Sequence, residues 1–422
     1  MQRFGLRIPL LALIAAAALV AAALAATATA KSQATTITFW QTMNDQESVT
    51  LKGLVSQFEA ANPDIKIDMV TVPFDQHSQK FTTAAQAGQA PDVMRADTAP
   101  DVQGWAAQGL LTDLTSKVSA ADKADFVQAA FKGAQYNGKI YAIPQTVDAL
   151  ALFYNKKLLK AKGLTKPPAT LAQLQQYCQK LGAGKGIALR GDSYWIGPWI
   201  WGAGGGLVDM QKKQILIASK ASIAGWTSYN SLVQDKCAFP NKDFSNDYGN
   251  MMTAFKNGQV AMIVNGPWST ADVLSGPQFT SSTNFQVAVL PRGTGGQGSP
   301  IGGASFVVSR NSKNVDAAYA FIKWLTAPAQ EAAFASKNNL LPSHVSAYKL
   351  PDVKKNRLIV AFLAQLQKAT DRSAGTQGAQ LYTDWTPALQ SMLSGKLTPA
   401  KAAVATAAAW KGKLFPSFTI VK

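Results

Sequence analysis

The sequence predicts an α/β protein of two domains, and three observations carry that expectation. The chain has 422 residues, 47% of them hydrophobic and 15% charged, which is enough apolar material for two separate cores. Its amino-terminal part alternates strand and helix signals. Ile37, Phe39 and Trp40 begin a strand, and Leu51, Leu54, Val55 and Phe58 then recur at helical spacing until Asn62-Pro63 stops them. Ile65, Ile67 and Met69 follow at period two, completing a βαβ unit whose right-handed crossover requires parallel strands. The third observation is the stretch FKNGQVAMIVNGPW at 255–268. Asn257-Gly258 is a turn, and Val260, Ala261, Met262, Ile263 and Val264 form an apolar run of strand length, bracketed by Gly258 and Gly266 and so covered on both faces. Asn265, Gly266 and Pro267 end it and present Trp268 at its carboxyl end, where ligands bind in open α/β sheets. Trp268 is either a core residue or a ligand platform on this pattern alone.

Residues 1–30 differ from the rest. Arg3 and Arg7 precede an uncharged Leu/Ala/Val run at 10–26, and Ala28-Thr29-Ala30 supplies the small residues that signal peptidase accepts. An export signal cleaved after Ala30 is expected; the alternative is an uncleaved anchor, because the run approaches the ~17 residues needed to span a bilayer. No cysteine lies near the junction, so no lipid anchor is expected, and no later segment is apolar enough to cross a membrane. An exported chain meets an oxidising compartment, in which Cys178 and Cys237, the only cysteines, either form one bridge or stay as two buried thiols. Closing that loop would stabilise the fold by roughly 4 kcal/mol in the chain-entropy model.

The formal charge is +17, with a sequence pI of about 9.7. Lysines come singly or in pairs (Lys156-Lys157, Lys212-Lys213, Lys354-Lys355) and without nucleic-acid motifs, so the charge reads as a solvated basic surface facing an anionic cell envelope.

Taken in order, the loop after the first strand offers Gln41, Thr42 and Asn44, and Asp97 follows the strand at 92–95; each is a helix cap, an ordinary loop residue or a ligand contact. Asn137-Gly138 marks a hairpin. Thr170 caps a helix at 171–181, and 186–190 reads as a strand. In GDSYWIGPWIWGAGGG four aromatics, Tyr194, Trp195, Trp199 and Trp201, crowd beside Gly204-Gly205-Gly206, and Trp199 and Trp201 are read as partly core. A strand at 285–290 and a Gly/Ser-rich connector at 291–300 lead to IGGASFVV at 301–308. Helical spacing fills the remainder at 317–325, 328–335, 354–367, 380–393 and 399–410.

Several of these phrases resemble one family. TITFW, FEAANPDIKIDMV and GQAPDVMRAD come in the order seen near the amino terminus of the extracellular solute-binding proteins of sugar ABC importers, the maltose-binding-protein-like family. VDALALFYNKKLL, IGGASFVV and the pattern F-x-x-G-x-x-A-M-x-x-x-G-P-W resemble its interdomain crossings and its sugar-stacking tryptophan segment. The resemblance implies a type II periplasmic-binding fold of two α/β lobes joined by a hinge, with crossings near Asp148 and Gly302. After the signal at 1–30, lobe 1 is 31–146 plus 303–350 and lobe 2 is 147–302 plus 351–422. It implies a ligand site of Trp268 and Trp195 as stacking aromatics, with Tyr194 as the neighbouring candidate, Asp148 and Asp97 as acceptors for hydroxyls, and Gln41 and Gly303 beside them. Asp148 stands where the maltose binder has the longer Glu, which leaves the sugar open. The implied partners are a sugar or oligosaccharide and a membrane permease, with no nucleic acid and no cofactor, and the protein is expected to work as a monomer.

Other chemistry has little support. His77 and His344 belong to no metal-ligand or triad spacing, no G-x-S-x-G elbow is present, and the glycine runs lack the Lys-Ser/Thr ending of a phosphate loop. The competing classes are a secreted glycosidase using Asp97 and Asp148 as its two carboxylates, and a binding protein for a non-sugar solute.

Overall fold

A computed structural model of the chain describes residues 34–241, 243–369, 376–378 and 380–422; the proposed export signal lies outside them. The strand Thr35–Gln41 pairs in parallel with Ile65–Thr71 on one side and with Val93–Ala96 on the other. The helix Asp45–Ala61 makes the first crossover, opened by a capping box in which Asn44 and Glu47 satisfy each other's backbone amides. Ser305–Val308 then lies antiparallel between Val93–Ala96 and Ala142–Pro144, completing a mixed five-stranded sheet. A second sheet runs in the order Phe285–Ala288, Ala151–Asn155, Met262–Asn265, Ile187–Ala188.

Each sheet is covered on both faces, as the continuous apolar runs require. On the first, Phe39, Phe306 and Phe321 meet edge to face at 5.4 to 5.6 Å on one side, while Phe81, Met94, Trp105 and Val307 fill the other. On the second, the period of two sends Phe153 and Ile263 to one face and Leu152, Met262 and Val264 to the opposite one. That opposite face is closed by the carboxyl-terminal helices Leu381–Leu393 and Pro399–Lys413, whose Trp385 and Trp410 are almost wholly buried against each other, 5.9 Å apart.

Between the sheets runs a third, of three short antiparallel strands: Ile301–Gly302, Thr146–Ala149 and Leu341–Pro342. The chain leaves the first sheet at Pro144, passes through Thr146–Ala149 and enters the second at Ala151. It returns through Ile301–Gly302, so the two crossings expected near Asp148 and Gly302 are adjacent strands with those residues in register. The third strand, Leu341–Pro342, was not foreseen from the sequence.

The strands read at 260–264 and 285–290 are Met262–Asn265 and Phe285–Ala288, and three further boundaries differ from the sequence reading, each for a local reason. The stretch 301–308 is two strands in two sheets, because Gly303 turns the chain at a φ of 135°. The strand at 186–190 shortens to Ile187–Ala188 because the Tyr229 hydroxyl accepts from Arg190 N and donates to Arg190 O, taking the place of a neighbouring strand. The helix at 354–367 is two helices, Pro351–Lys355 and Arg357–Leu366; Asn356 between them is extended and its side chain caps the second by accepting from Leu358 N and Ile359 N. The Asn137-Gly138 hairpin forms with both residues at positive φ, and Thr170 accepts from Gln173 N at the start of Leu171–Leu181. Cys178 and Cys237 are joined as a disulfide, their Cα atoms 5.0 Å apart, which decides between the bridge and the two thiols.

Both histidines are engaged structurally. His344 Nδ1 lies 3.2 Å from the buried Glu331 carboxylate. His77, the first residue of the helix His77–Gln86, points Nε2 at Asp101 Oδ2 at 3.1 Å and Nδ1 at the Phe74 carbonyl, tying the loop after Ile65–Thr71 to the helix Ala99–Ala107. Burial alone would lower the His77 pKa; the hydrogen bond to Asp101 and the charges of Asp101 and Asp97 outweigh it and raise it to about 9. A raised pKa contributes stability that is fully present below the unfolded value near 6.5 and is lost as pH rises through about 9. Asp101 is shifted down despite its burial, so its share is lost as pH falls through the ordinary carboxylate range. The melting temperature should therefore decline between pH 6.5 and pH 9, and His77→Gln should flatten that decline while lowering stability at pH 6; melting curves of both proteins across that window are the check.

Candidate functional site

The site is where the carboxyl ends of two central strands face each other. The loop after Thr35–Gln41 and the loop after Met262–Asn265 touch through Asn44 Nδ2, which donates to Trp268 O at 3.4 Å. Asn265 is completely buried and organises the second loop: its Oδ1 accepts from Gly266 N at 2.9 Å, and its Nδ2 reaches the Tyr248 hydroxyl at 3.4 Å. Ser269 and Thr270 add hydroxyl bonds to the carbonyls of Gly266 and Pro267. The Trp268 ring folds back over Gly266 so closely that a Cβ there would collide with it, and its indole lies beside the Tyr248 hydroxyl. Trp268 is half-buried, touching the margins of two cores, with part of its surface open.

The neighbouring wall comes from the hinge and from the aromatic cluster. Asp148, half-buried, is on the middle strand of the hinge opposite Gly302. Any side chain at Gly302 would collide with the Asp148 carboxylate and come within 3.1 Å of the Tyr194 hydroxyl, so these two polar groups converge on one glycine. Of the two adjacent aromatics, Tyr194 is half-buried, whereas Trp195 is only 9% exposed. Trp195 donates Nε1–H to Val264 O at 2.8 Å, and its ring carries the Arg190 guanidinium at 4.2 Å. The same guanidinium lies 4.9 Å from the Tyr248 ring and pairs with Asp247 at 2.9 Å and Asp192 at 3.5 Å. Trp195 therefore braces the wall, and Tyr194, edge-on to it at 5.2 Å, presents the more open surface. Trp199 is buried and Trp201 half-buried.

The facing wall is charged. Asp97 is ion-paired with Arg95, and its other oxygen lies 3.8 Å from His77 Nε2, is buried and makes no hydrogen bond. Arg95 also donates to Gln145 Oε1 at 3.1 Å and to Thr42 Oγ1 at 2.9 Å. Gln41 is fully buried with its amide spent internally, donating to Thr71 at 2.7 Å and Ser48 at 3.3 Å and accepting from Met43 N at 2.6 Å. It shapes the 42–44 loop from beneath instead of opening to solvent. Gly303 stands at the crossing itself: a Cβ would lie 2.9 Å from Val147 Cα and collide with the Thr146 carbonyl, so only glycine lets the strands pass.

Of the residues expected at the site, Asp148 and Tyr194 meet at Gly302, Trp268 lies on the loop beyond Tyr248, and Trp195 and Gln41 are buried behind the surface they were expected to form. Sequence reasoning missed Arg190, Tyr248 and Asn265. Arg190 stands just before the aromatic cluster and was legible as a charge next to flat rings; Tyr248 and Asn265 carry no signal outside the fold.

Comparison with known proteins agrees with this architecture. The family model of bacterial extracellular solute-binding proteins matches residues 44–332. The solved GacH receptor of Streptomyces glaucescens, determined unliganded and in complex with acarbose and an acarbose homolog, is 37% identical and superposes with a TM-score of 0.86 over 91% of this chain and 99% of its own. A galactooligosaccharide-binding protein of Bacillus subtilis is 25% identical over 91% of both chains, and a maltotriose-binding protein of Pyrococcus abyssi is 26% identical over 79% of this chain and 72% of its own. The match spans well over half of the chain and its two lobes have the architecture of the relatives, so the chain belongs to the family of bacterial extracellular solute-binding proteins.

Proposed function

We propose that this protein binds a sugar or oligosaccharide between its two lobes outside the cytoplasm and delivers it to the membrane permease of an ABC importer, without chemistry of its own. The observation that supports the reading is that Asp148 and Tyr194 converge on Gly302, on a wall that continues through Trp195 and Tyr248 to Trp268, which meets the facing loop at Asn44. A pyranose has apolar C–H faces and a hydroxyl rim, so a site that discriminates it needs flat aromatic surface next to charged acceptors. Trp268 and Tyr194 supply the first, with Trp195 as brace; Asp148 supplies the second, while Asp97, expected as another acceptor, is held by Arg95 with its side chain buried. Gly303 allows the close passage of the crossings and Gln41 holds the loop that carries Asn44. The sugar-binding names of several relatives support the same reading.

The lobes would divide at 31–146 plus 303–350 and 147–302 plus 351–422, with 1–30 removed on export and no lipid attached. A monomer suffices, since both walls of the site come from one chain. The glycosidase alternative would need Asp97 as one of two free carboxylates, whereas Arg95 already holds it.

A hydrogen bond to a charged group contributes about 1.5 to 3 kcal/mol, so Asp148→Ala should weaken sugar binding by about 10- to 100-fold with little change in melting temperature. Trp268→Ala should weaken it at least as much, through loss of a large contact surface. Titration calorimetry with maltooligosaccharides and galactooligosaccharides, beside melting curves of the free proteins, reads both; a Trp268→Ala protein that melts many degrees lower yet binds like the parent would make Trp268 a support residue.

Closure of two lobes about a hinge is the general behaviour of periplasmic binding proteins, and the short crossing strands fit it. Solution scattering should show a smaller radius of gyration at saturating sugar; an unchanged radius would mean a rigid pocket. The intact mass of the secreted protein should correspond to a chain beginning at or within a few residues of Lys31, whereas a full-length, membrane-bound product would identify the apolar run as an anchor.

A further inference from the structure

A run of five lysines within residues 156–166 is joined at one end of the second sheet by three more from other segments. Lys156, Lys157 and Lys160 lie on the short helix Lys156–Lys160 that follows the strand Ala151–Asn155, and Lys162 and Lys166 lie on the loop beyond it. That loop is anchored by the buried Leu159 and Leu164 and by Tyr177, whose hydroxyl donates to the Lys166 carbonyl. Backbone bonds then carry the surface sideways. Asn155 N donates to Ala261 O, Ala261 N to Lys185 O, and Gly184 N to Lys236 O, so the segments bearing Lys156, Lys185 and Lys236 are stitched side by side. Lys180, in the last turn of Leu171–Leu181, leads into the same loop.

All eight lysines are exposed, and none is ion-paired with another described residue. The acidic group on these segments is Asp235, which accepts from Gln175; Lys256 nearby is neutralised by Asp272. The register fixes which end this is: Met262 lies opposite Tyr154 and Asn265 opposite Ala151, so the lysines are at the end of the sheet away from Trp268. A partner held there would leave the ligand cleft open.

We propose that this end of the second lobe is a docking surface for anionic phospholipid headgroups, holding the protein at the outer face of a membrane. The lysines spread over one short helix and separate loops, on flexible stems, so the surface reads charge density and not the shape of one discrete ligand. That suits a fluid array of phosphates. Lysines near an anionic leaflet each contribute about fivefold to partitioning, and the attraction falls off within a Debye length of about 10 Å at 0.1 M salt.

The test is sedimentation of the mature protein with vesicles of phosphatidylglycerol and phosphatidylcholine, and with phosphatidylcholine alone. The protein should bind the anionic vesicles only, and release as salt is raised to about 1 M, where the Debye length is about 3 Å. The variant Lys156→Gln/Lys157→Gln/Lys160→Gln should lose on the order of 100-fold in partitioning with sugar affinity and melting temperature unchanged. A control, Lys323→Gln/Lys337→Gln/Lys354→Gln, removes the same number of exposed lysines elsewhere and should lose far less. Equal losses in the two variants would show that net charge acts without a located surface and would overturn the proposal. So would equal binding to neutral vesicles, or binding to soluble polyphosphate without binding to vesicles.

Discussion

The structure depends on three strands of two to four residues that share one set of backbone hydrogen bonds between the lobes. Thr146–Ala149 is the middle strand, flanked by Ile301–Gly302 and Leu341–Pro342, and each of the three leads from one lobe toward the other. Sequence-distant crossings are thereby held in register, and Asp148 and Gly302 are opposite each other because the ladder makes them so. So narrow a ladder can twist at little cost, while the lobes, each covered on both faces by packed side chains, resist deformation. The closure we propose would therefore turn at the crossings, beside the residues we assign to the ligand.

The two walls of the cleft solve different problems. On the second lobe the proposed aromatic surface is fixed by a relay: Asn265 holds the backbone before Pro267, Tyr248 lies beside the Trp268 indole, and Arg190 fills the space between Tyr248 and Trp195. Trp195 has its polar edge satisfied, so it braces the wall without orphaning a donor. On the first lobe the cations Arg95 and His77 flank Asp97 and Asp101 so that buried charge is compensated locally. The first wall is thus preset electrostatically and the second sterically.

Much of this was legible from residue pattern. The βαβ start and the turn chemistry at Asn137-Gly138 depend on local periodicity and on backbone conformations that few residues adopt, and these survive into the fold, while the strand read at 260–264 shifts to Met262–Asn265. What was not legible depends on partners distant in sequence. Nothing near Trp195 announces that Arg190 will cover its ring or that Val264 will take its N–H, so one position of slip separated Trp195 from the more open Tyr194. Gln41 was misread for a similar reason: its position after a strand suggests a ligand loop, but Thr71 from the neighbouring parallel strand takes its amide. The lysine-rich end was only partly legible: five of its lysines fall within 156–166, but the joining of Lys185 and Lys236 to them depends on backbone bonds between distant segments.

Asymmetry between the walls also bears on how tightly the empty cleft is held. The Trp268 loop makes two long neutral bonds to the first lobe, accepting at Trp268 O from the Asn44 amide, which also caps the helix Asp45–Ala61, and donating from the Thr270 hydroxyl to Asn338 O at 3.3 Å. A neutral bond of that kind contributes about 0.5 to 1.5 kcal/mol at most, which is small enough for a ligand bridging both walls to shift the balance between open and closed lobes. A strong interlobe ion pair, such as Arg95 reaching across instead of turning back onto Asp97, would hold the cleft shut without ligand. Pairing each lobe's charges within that lobe keeps the empty protein free to open, and reserves the bridging of the two walls for the solute.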